Sequence, residues 1–105
     1  MPDDHLKDVT VRKEANVYYE GHVTSRELET ADGDRKTLGI VLPGEYEFET
    51  DEREDIEIVE GRGRFELPTG ETISFEAGDV ASIPSDTTFT FVADSVVDYY
   101  CSYGE

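Results

Sequence analysis

One stretch of this chain, Tyr46-Glu47-Phe48-Glu49-Thr50, alternates strictly between Tyr, Phe or Thr and a glutamate. Successive side chains of a β-strand point to opposite faces of a sheet. The spacing therefore predicts a strand with Tyr46, Phe48 and Thr50 turned inward and the glutamates in water. The Pro43-Gly44 pair before it is a turn signal, so the strand is expected to follow a sharp turn.

The same two-residue period recurs along the chain from Asn16 onward. The inward positions that it predicts are Ile56, Ile58, Phe65, Leu67, Ile73, Phe75, Phe89, Phe91, Val97, Tyr99, Cys101 and Tyr103. Turn signals such as Asp32-Gly33, Glu60-Gly61, Thr69-Gly70 and Pro84-Ser85 separate these runs. About eight or nine short strands, roughly ten residues apart and without an intervening helix, predict an all-β sandwich, jelly roll or barrel.

Length and composition indicate one globular domain. A chain of 105 residues has room for one hydrophobic core, and 36% of its residues are apolar. Residues 1–15 are charged and lack periodicity, which predicts an acidic N-terminal arm, frayed or forming a short helix, before a domain over residues 16–105. The start, Met1-Pro2-Asp3-Asp4-His5, lacks the apolar core of a signal peptide, and Cys101 is the only cysteine. Both features predict a cytoplasmic protein.

The charge is strongly negative, because 26 acidic residues oppose nine basic ones for a net charge of −17. Such a surface repels phosphates and anionic lipids, so neither nucleic acid nor a membrane is expected as a partner. The excess could capture a basic partner, or it could be a solvated surface suited to high salt. The acids are spread through every segment and lysine is scarce, which favours the second interpretation and a halophilic source.

Two segments, Glu54-x6-Gly61 and Gly78-x5-Pro84, resemble the signature segments of the cupin superfamily, in which a glutamate and histidines on inner strands bind a metal. Here Phe48, Thr50 and Phe89 stand where the histidines would align, and only Glu54 remains. One carboxylate without imidazole or thiolate partners is a poor transition-metal site. We therefore predict no bound catalytic metal.

A narrower resemblance covers nearly the whole chain from Asn16. The residues that carry it are Asn16-x-Tyr18-Tyr19-x-Gly21-x-Val23-x-Ser25, the block from Thr37 to Thr50, Gly78-x5-Pro84 and Tyr99-x-Cys101-x-Tyr103. They resemble the cupin-fold pyrimidine/purine nucleoside phosphorylase family. The resemblance implies a small single-domain cupin-type jelly-roll barrel that converts diverse nucleosides and inorganic phosphate to free base and pentose 1-phosphate. It also implies that no metal or other cofactor is needed.

The chain departs from that family in three places. The tryptophan often found near Ile73 is missing, Ser102 stands where an arginine is common, and the acidic N-terminal arm is an addition. Phosphate needs a cation or backbone amides, and Arg35, just before the Thr37 block, is the candidate by resemblance. The alternative for Arg35 is a solvated loop charge.

The remaining site predictions concern the inward-facing side chains. Glu54 and Tyr46 are predicted to be catalytic, Glu54 by orienting a ribose hydroxyl or moving a proton to the base. The predicted substrate-binding residues are Arg35, Thr37, Phe48, Thr50, Phe89, Tyr99 and Tyr103. Inward aromatics can stack a nucleobase, or they can simply fill a small core. Cys101 is expected to be an inert, buried thiol.

The sequence leaves two other functions open. One is a non-enzymatic cupin that binds a small metabolite, and the other is a metal-dependent cupin enzyme such as an isomerase or dioxygenase. Small cupins often protect their edge strands by pairing, so we expect a homodimer.

Overall fold

Eleven β-strands and one 3-10 turn (Tyr19–Gly21) make up the computed structural model, which describes residues 5–104. The strands are β1 (Thr10–Val11), β2 (Asn16–Tyr18), β3 (Val23–Glu29), β4 (Arg35–Val41), β5 (Gly44–Glu49), β6 (Arg53–Glu60), β7 (Arg62–Glu66), β8 (Thr72–Glu76), β9 (Val80–Ile83), β10 (Thr88–Ala93) and β11 (Val97–Gly104). No helix of the described residues is long and apolar enough to cross a membrane.

The strands form two antiparallel sheets. The larger one has the order β1-β3-β4-β11-β6-β9, with β2 also paired to β3, and the smaller one has the order β5-β10-β7-β8. The chain passes repeatedly from one sheet to the other, as in a jelly roll. Within residues 5–104 no strand pair joins the two sheets. The predicted all-β cupin-type fold is confirmed, and its barrel is built of two facing sheets that do not close.

The core lies between the sheets and is formed by the inward positions of the two-residue period. Its buried members are Val23, Val41, Tyr46, Ile56, Ile58, Phe65, Phe75, Ala81, Ile83, Phe89, Phe91, Ala93, Val97 and Cys101. The ring of Phe65 lies 4.7 Å from that of Phe75 and 4.8 Å from that of Phe91, centroid to centroid. The Phe65 and Phe91 rings meet edge to face, at an interplanar angle of 80°, and the Phe65 and Phe75 rings are tilted by 36°. Aromatic contacts of both kinds add to the free energy gained by burying the rings.

The strand count exceeds the eight or nine expected from the sequence. Two of the extra strands, Thr10–Val11 and Asn16–Tyr18, are two and three residues long, too short to show an alternation. Thr10–Val11 pairs with Leu28 and Glu29 of β3, so this part of the predicted arm is an edge of the larger sheet and contains no helix. Residues 1–4 of the arm, and residue 105, lie outside the described residues.

Candidate active site

A cavity of about 280 Å³ opens between the two sheets. The larger sheet contributes the lining residues Tyr18, Ser25, Val41, Glu54, Ile56, Tyr99 and Tyr103, and the smaller sheet contributes Phe48, Glu49, Phe89 and Phe91. Aromatic and aliphatic side chains thus surround a few polar groups, which is the usual composition of a small-molecule site.

One wall of the cavity consists of aromatic rings in mutual contact. Phe48 lies 6.0 Å from Phe89 and 6.2 Å from Phe91, and Phe91 lies 6.3 Å from Tyr99, all between ring centroids. Phe48 and Phe89 also face each other across the β5–β10 register. Because each ring is packed against another, the wall is a preformed surface for a planar ligand.

The half-buried carboxyl of Glu54, on β6, lines the cavity from the sheet that faces the three phenylalanines of this wall. The Cys101 thiol donates a hydrogen bond to Glu54 Oε1, with an Sγ to Oε1 distance of 3.6 Å. Burial raises the pKa of Glu54 above its ordinary value, and nearby Arg35 opposes part of that rise. Burial, together with the Glu54 charge, raises the pKa of Cys101 to about 12, so the thiol stays protonated.

Two predicted site residues, Thr37 and Arg35, do not line the cavity themselves. Both contact Tyr103, which does. The Thr37 and Tyr103 hydroxyl oxygens are 3.1 Å apart, within hydrogen-bonding distance. The Arg35 guanidinium carbon lies 3.9 Å from the centroid of the Tyr103 ring, a cation–π contact. Arg35 also approaches Glu52 at 3.8 Å. Burial raises the pKa of Tyr103 well above its ordinary value, so this phenol remains neutral.

The structure therefore brings most of the predicted site residues together. Five of them line the cavity: Phe48, Glu54, Phe89, Tyr99 and Tyr103. Thr37 and Arg35 lie in the shell behind Tyr103. The catalytic and binding roles assigned to these seven residues stay predictions.

Tyr46 and Thr50 do not line the cavity, and their hydroxyls contact the protein backbone instead. The Tyr46 hydroxyl donates to the carbonyls of Leu42 and Pro43, at 2.9 and 3.2 Å. The Thr50 hydroxyl donates to the carbonyl of Pro84 at 2.6 Å and accepts the Thr87 N–H at 3.0 Å. Both contacts brace turns of the fold. These contacts indicate a structural role for both side chains. The catalytic role of Tyr46 and the binding role of Thr50 stay predictions.

Six lining residues escaped the sequence-based prediction of the site: Tyr18, Ser25, Val41, Glu49, Ile56 and Phe91. Tyr18 and Ser25 belong to the first string of the family resemblance, which was the available signal. The alternation in β5 predicts that Glu49 faces solvent, so it gave no sign that this residue belongs to the site. Glu49 lines the cavity because it lies at the exposed end of that strand.

The donor set does not fit a metal of the cupin type. Among residues 5–104, no three His, Cys, Asp or Glu side chains are grouped so that they could hold a metal ion. Phe48 and Phe89, at the positions where cupin histidines would align, present hydrocarbon rings to the cavity. We therefore derive no step through a metal.

Two facing antiparallel sheets around an aromatic cavity with a half-buried glutamate define a protein of the cupin fold class. Among solved structures, a protein of unknown function from Acinetobacter sp. ADP1 superposes with a TM-score of 0.90 at 35% identity, over 95% of this chain and 98% of that one. Ectoine synthase from P. lautus superposes with a TM-score of 0.75 at 20% identity, over 99% of this chain and 78% of that one. The second likeness supports the fold alone.

Within that class, the chain belongs to the pyrimidine/purine nucleoside phosphorylase family, whose model matches residues 13–103. A protein of that name from Clostridioides difficile strain 630 is 45% identical over 99 residues, covering 93% of this chain and 94% of its own. Another, from Syntrophotalea carbinolica, is 47% identical over 99 residues, covering 93% and 95%. The resemblance deduced from the motifs is confirmed.

Proposed function

We propose that this protein is a nucleoside phosphorylase that cleaves pyrimidine and purine nucleosides with inorganic phosphate, giving free base and pentose 1-phosphate. The observation that carries the proposal is the arrangement of the Glu54 carboxyl opposite an aromatic wall in one cavity, in a chain of this family. The wall suits a nucleobase because every base has a π-face. Stacking on that face does not depend on the hydrogen-bond donors and acceptors of the base. A broad base range follows from that.

The reaction requires one bond exchange and one net proton transfer, from phosphate to the base, which passes through Glu54. A phosphate oxygen forms a bond to the anomeric carbon while the bond from that carbon to the base nitrogen breaks, and the base leaves with the electron pair. Glu54, whose pKa is raised by burial, donates a proton to the departing base. The proton that hydrogen phosphate loses restores Glu54 to its acid form, so charge and protons balance.

Arg35 is the cation that we assign to phosphate. Its exposed guanidinium lies over the Tyr103 ring, which lines the cavity, and its contact with Glu52 is long at 3.8 Å. An exposed pair at that distance is weak, so it leaves the guanidinium available to an anion. A planar guanidinium can hold phosphate through two parallel hydrogen bonds.

The test is release of free base by protein that has been dialysed against EDTA. Uridine and inosine are incubated with the protein, with and without phosphate, and uracil and hypoxanthine are separated by chromatography. We expect release only with phosphate, and no effect of the chelator. Glu54→Gln should lower kcat by about 10²–10⁴-fold, while Glu60→Gln, an exposed acid on the same strand, should not.

The other outcomes identify the rival functions. Activity that returns only when zinc, manganese or iron is added would indicate a metal-dependent enzyme. Nucleoside binding without release of base would indicate a binding protein. Phosphate-independent release would indicate a hydrolase and overturn the proposal.

We also propose that the protein is a cytoplasmic homodimer. The edge strand β9 exposes Val80, 62% accessible, and nearby Val59 is 47% accessible. Exposed edges with apolar side chains favour pairing with a second copy. Light scattering coupled to gel filtration measures the mass directly, and a single species at the mass of one 11.8 kDa chain would contradict the dimer.

A further inference from the structure

A short segment, Tyr18–Gly21, spans the open edge between the two sheets. Tyr18 ends β2 of the larger sheet. The next ring, that of Tyr19, lies 5.1 Å from the Tyr46 ring and 5.8 Å from the Phe48 ring, and both of these partners belong to β5 of the smaller sheet. The Tyr19 hydroxyl also donates a hydrogen bond to the carbonyl of Glu47. The segment therefore ties the sheets together where no strand pair of the described chain does so.

The backbone of this segment explains how its two tyrosines diverge. Tyr18 is extended, with φ −127° and ψ 159°. The next three residues, Tyr19, Glu20 and Gly21, have φ of 51°, 57° and 94°. Residues other than glycine rarely adopt this left-handed backbone conformation. The sharp reversal directs the Tyr19 ring onto β5, and Tyr18 lines the cavity.

Tyr18 lies at the mouth of the cavity. It is a lining residue and yet 46% of its surface is accessible. The Phe48 ring, on which Tyr19 packs from outside, belongs to the aromatic wall of the same cavity. A ligand held against that wall would meet the partly free ring of Tyr18 at the entrance.

We infer that Tyr18 is a substrate-binding residue that stacks on the nucleobase at the mouth of the cavity, and that Tyr19 is the positioning residue that holds it there. The inference rests on the proposed function and extends it to the recognition of the base. Tyr18 supplies a π-face without a pattern of buried donors and acceptors, so it contributes to binding of both one-ring and two-ring bases. It does not act on phosphate.

The experiment compares Tyr18→Ala and Tyr18→Phe with the wild type, using uridine and inosine as varied substrates at saturating phosphate. Loss of base stacking typically weakens binding about 5- to 150-fold. We expect Tyr18→Ala to raise KM for nucleoside in this range, more for inosine because its base is larger, with KM for phosphate unchanged. Tyr18→Phe should restore nearly wild-type KM, since the ring is kept. Tyr19→Ala should raise the same KM by a smaller factor.

Val17→Ala is the matched control, since Val17 is exposed on the same strand and does not line the cavity. Nucleoside binding by calorimetry without phosphate separates this inference from the proposed function. Binding that Tyr18→Ala weakens, without any phosphorolysis, would overturn only the function. Wild-type KM and binding in a folded Tyr18→Ala would overturn the inference and leave the function standing. No nucleoside binding by the wild type would overturn both.

Discussion

The ring of Tyr99 lies directly against Gly39, its partner across the β4–β11 pair. A Cβ atom at position 39 would be 2.5 Å from Tyr99 Cζ and 2.6 Å from Cε2, and it would also press on the carbonyl oxygen of Thr24. The missing side chain of Gly39 therefore creates the space that the Tyr99 ring fills. Because Tyr99 lines the cavity, a glycine that touches no ligand helps to shape the site.

Gly39→Ala should therefore destabilise the fold and damage the cavity together. Overpacking of this kind typically costs about 1–3 kcal/mol, and we expect that loss in urea unfolding together with a raised KM for nucleoside. Gly104→Ala on β11 is the control, because its Cβ would meet only the flexible end of Arg53, at 2.9 Å. Equal stability of the two variants would contradict the packing argument.

Glu54 should make stability fall as the pH rises. Its pKa in the folded chain is raised above 4.5 by burial, so between 4.5 and the folded pKa the native state binds more protons than the unfolded one. Below pH 4.5 the Glu54 carboxyl is protonated in both the folded and the unfolded state, so its burial does not lower the free energy of unfolding. Glu54→Gln should thus be more stable than the wild type at about pH 8, and the gain should vanish at about pH 4.

Urea unfolding of the two proteins at both pH values measures this difference, with Glu60→Gln as the exposed control on the same strand. A Glu54→Gln variant that gains nothing at the higher pH would show that burial does not raise the Glu54 pKa.

Arg35→Ala should weaken the use of phosphate and leave the fold intact. Charge-assisted hydrogen bonds contribute about 1.5–3 kcal/mol, so kcat/KM for phosphate should fall about 10- to 150-fold. Arg35→Lys should recover only part of this, because an ammonium keeps the charge and loses the planar fork. Arg64→Ala is the control, since Arg64 pairs with Glu66 at 2.8 Å and does not line the cavity. If Arg35→Ala keeps the wild-type kcat/KM for phosphate, a group other than Arg35 binds the phosphate.

Tyr46→Phe separates the predicted catalytic role from the observed structural one. The Tyr46 hydroxyl donates to the carbonyls of Leu42 and Pro43, and loss of such a contact costs about 0.5–1.5 kcal/mol. We expect that loss in urea unfolding, with kcat close to wild type. A large fall in kcat at unchanged stability would instead restore Tyr46 to the catalytic set.

Stability should rise with salt, as the halophile interpretation requires. Within residues 5–104 there are three ion pairs, Arg35–Glu52, Arg53–Asp55 and Arg64–Glu66. Most acidic residues of this range therefore have no ion-pair partner within it, and they repel one another. The Debye length falls from about 30 Å at 0.01 M to about 3 Å at 1 M salt. Thermal melts in low and molar potassium chloride should differ by at least about 5 °C, and equal midpoints would contradict this interpretation.

Much of the fold could be predicted from local pattern. The alternation in Tyr46–Thr50 and its repeats identifies inward residues such as Ile58 and Phe65, both fully buried, because side chains of a strand point alternately to its two faces. Dipeptides that contain glycine, such as Asp32-Gly33, mark turns because glycine adopts the backbone conformations that tight turns need. The family motifs identified the relatives, and with them Glu54 and four aromatic residues that line the cavity.

The sequence by itself thus determined most of the strands, their buried faces and the family, since each depends on neighbouring residues or on a linear motif. Only the tertiary structure decided which inward residues form the cavity and which brace the fold. Glu54 meets Cys101 across 47 positions of sequence, and Tyr19 meets Glu47 across 28. Such contacts depend on how distant strands pair and how the two sheets face each other, and side-chain parity cannot specify that. For the same reason Tyr46 shares the parity of Phe48 and yet contacts a turn rather than the cavity.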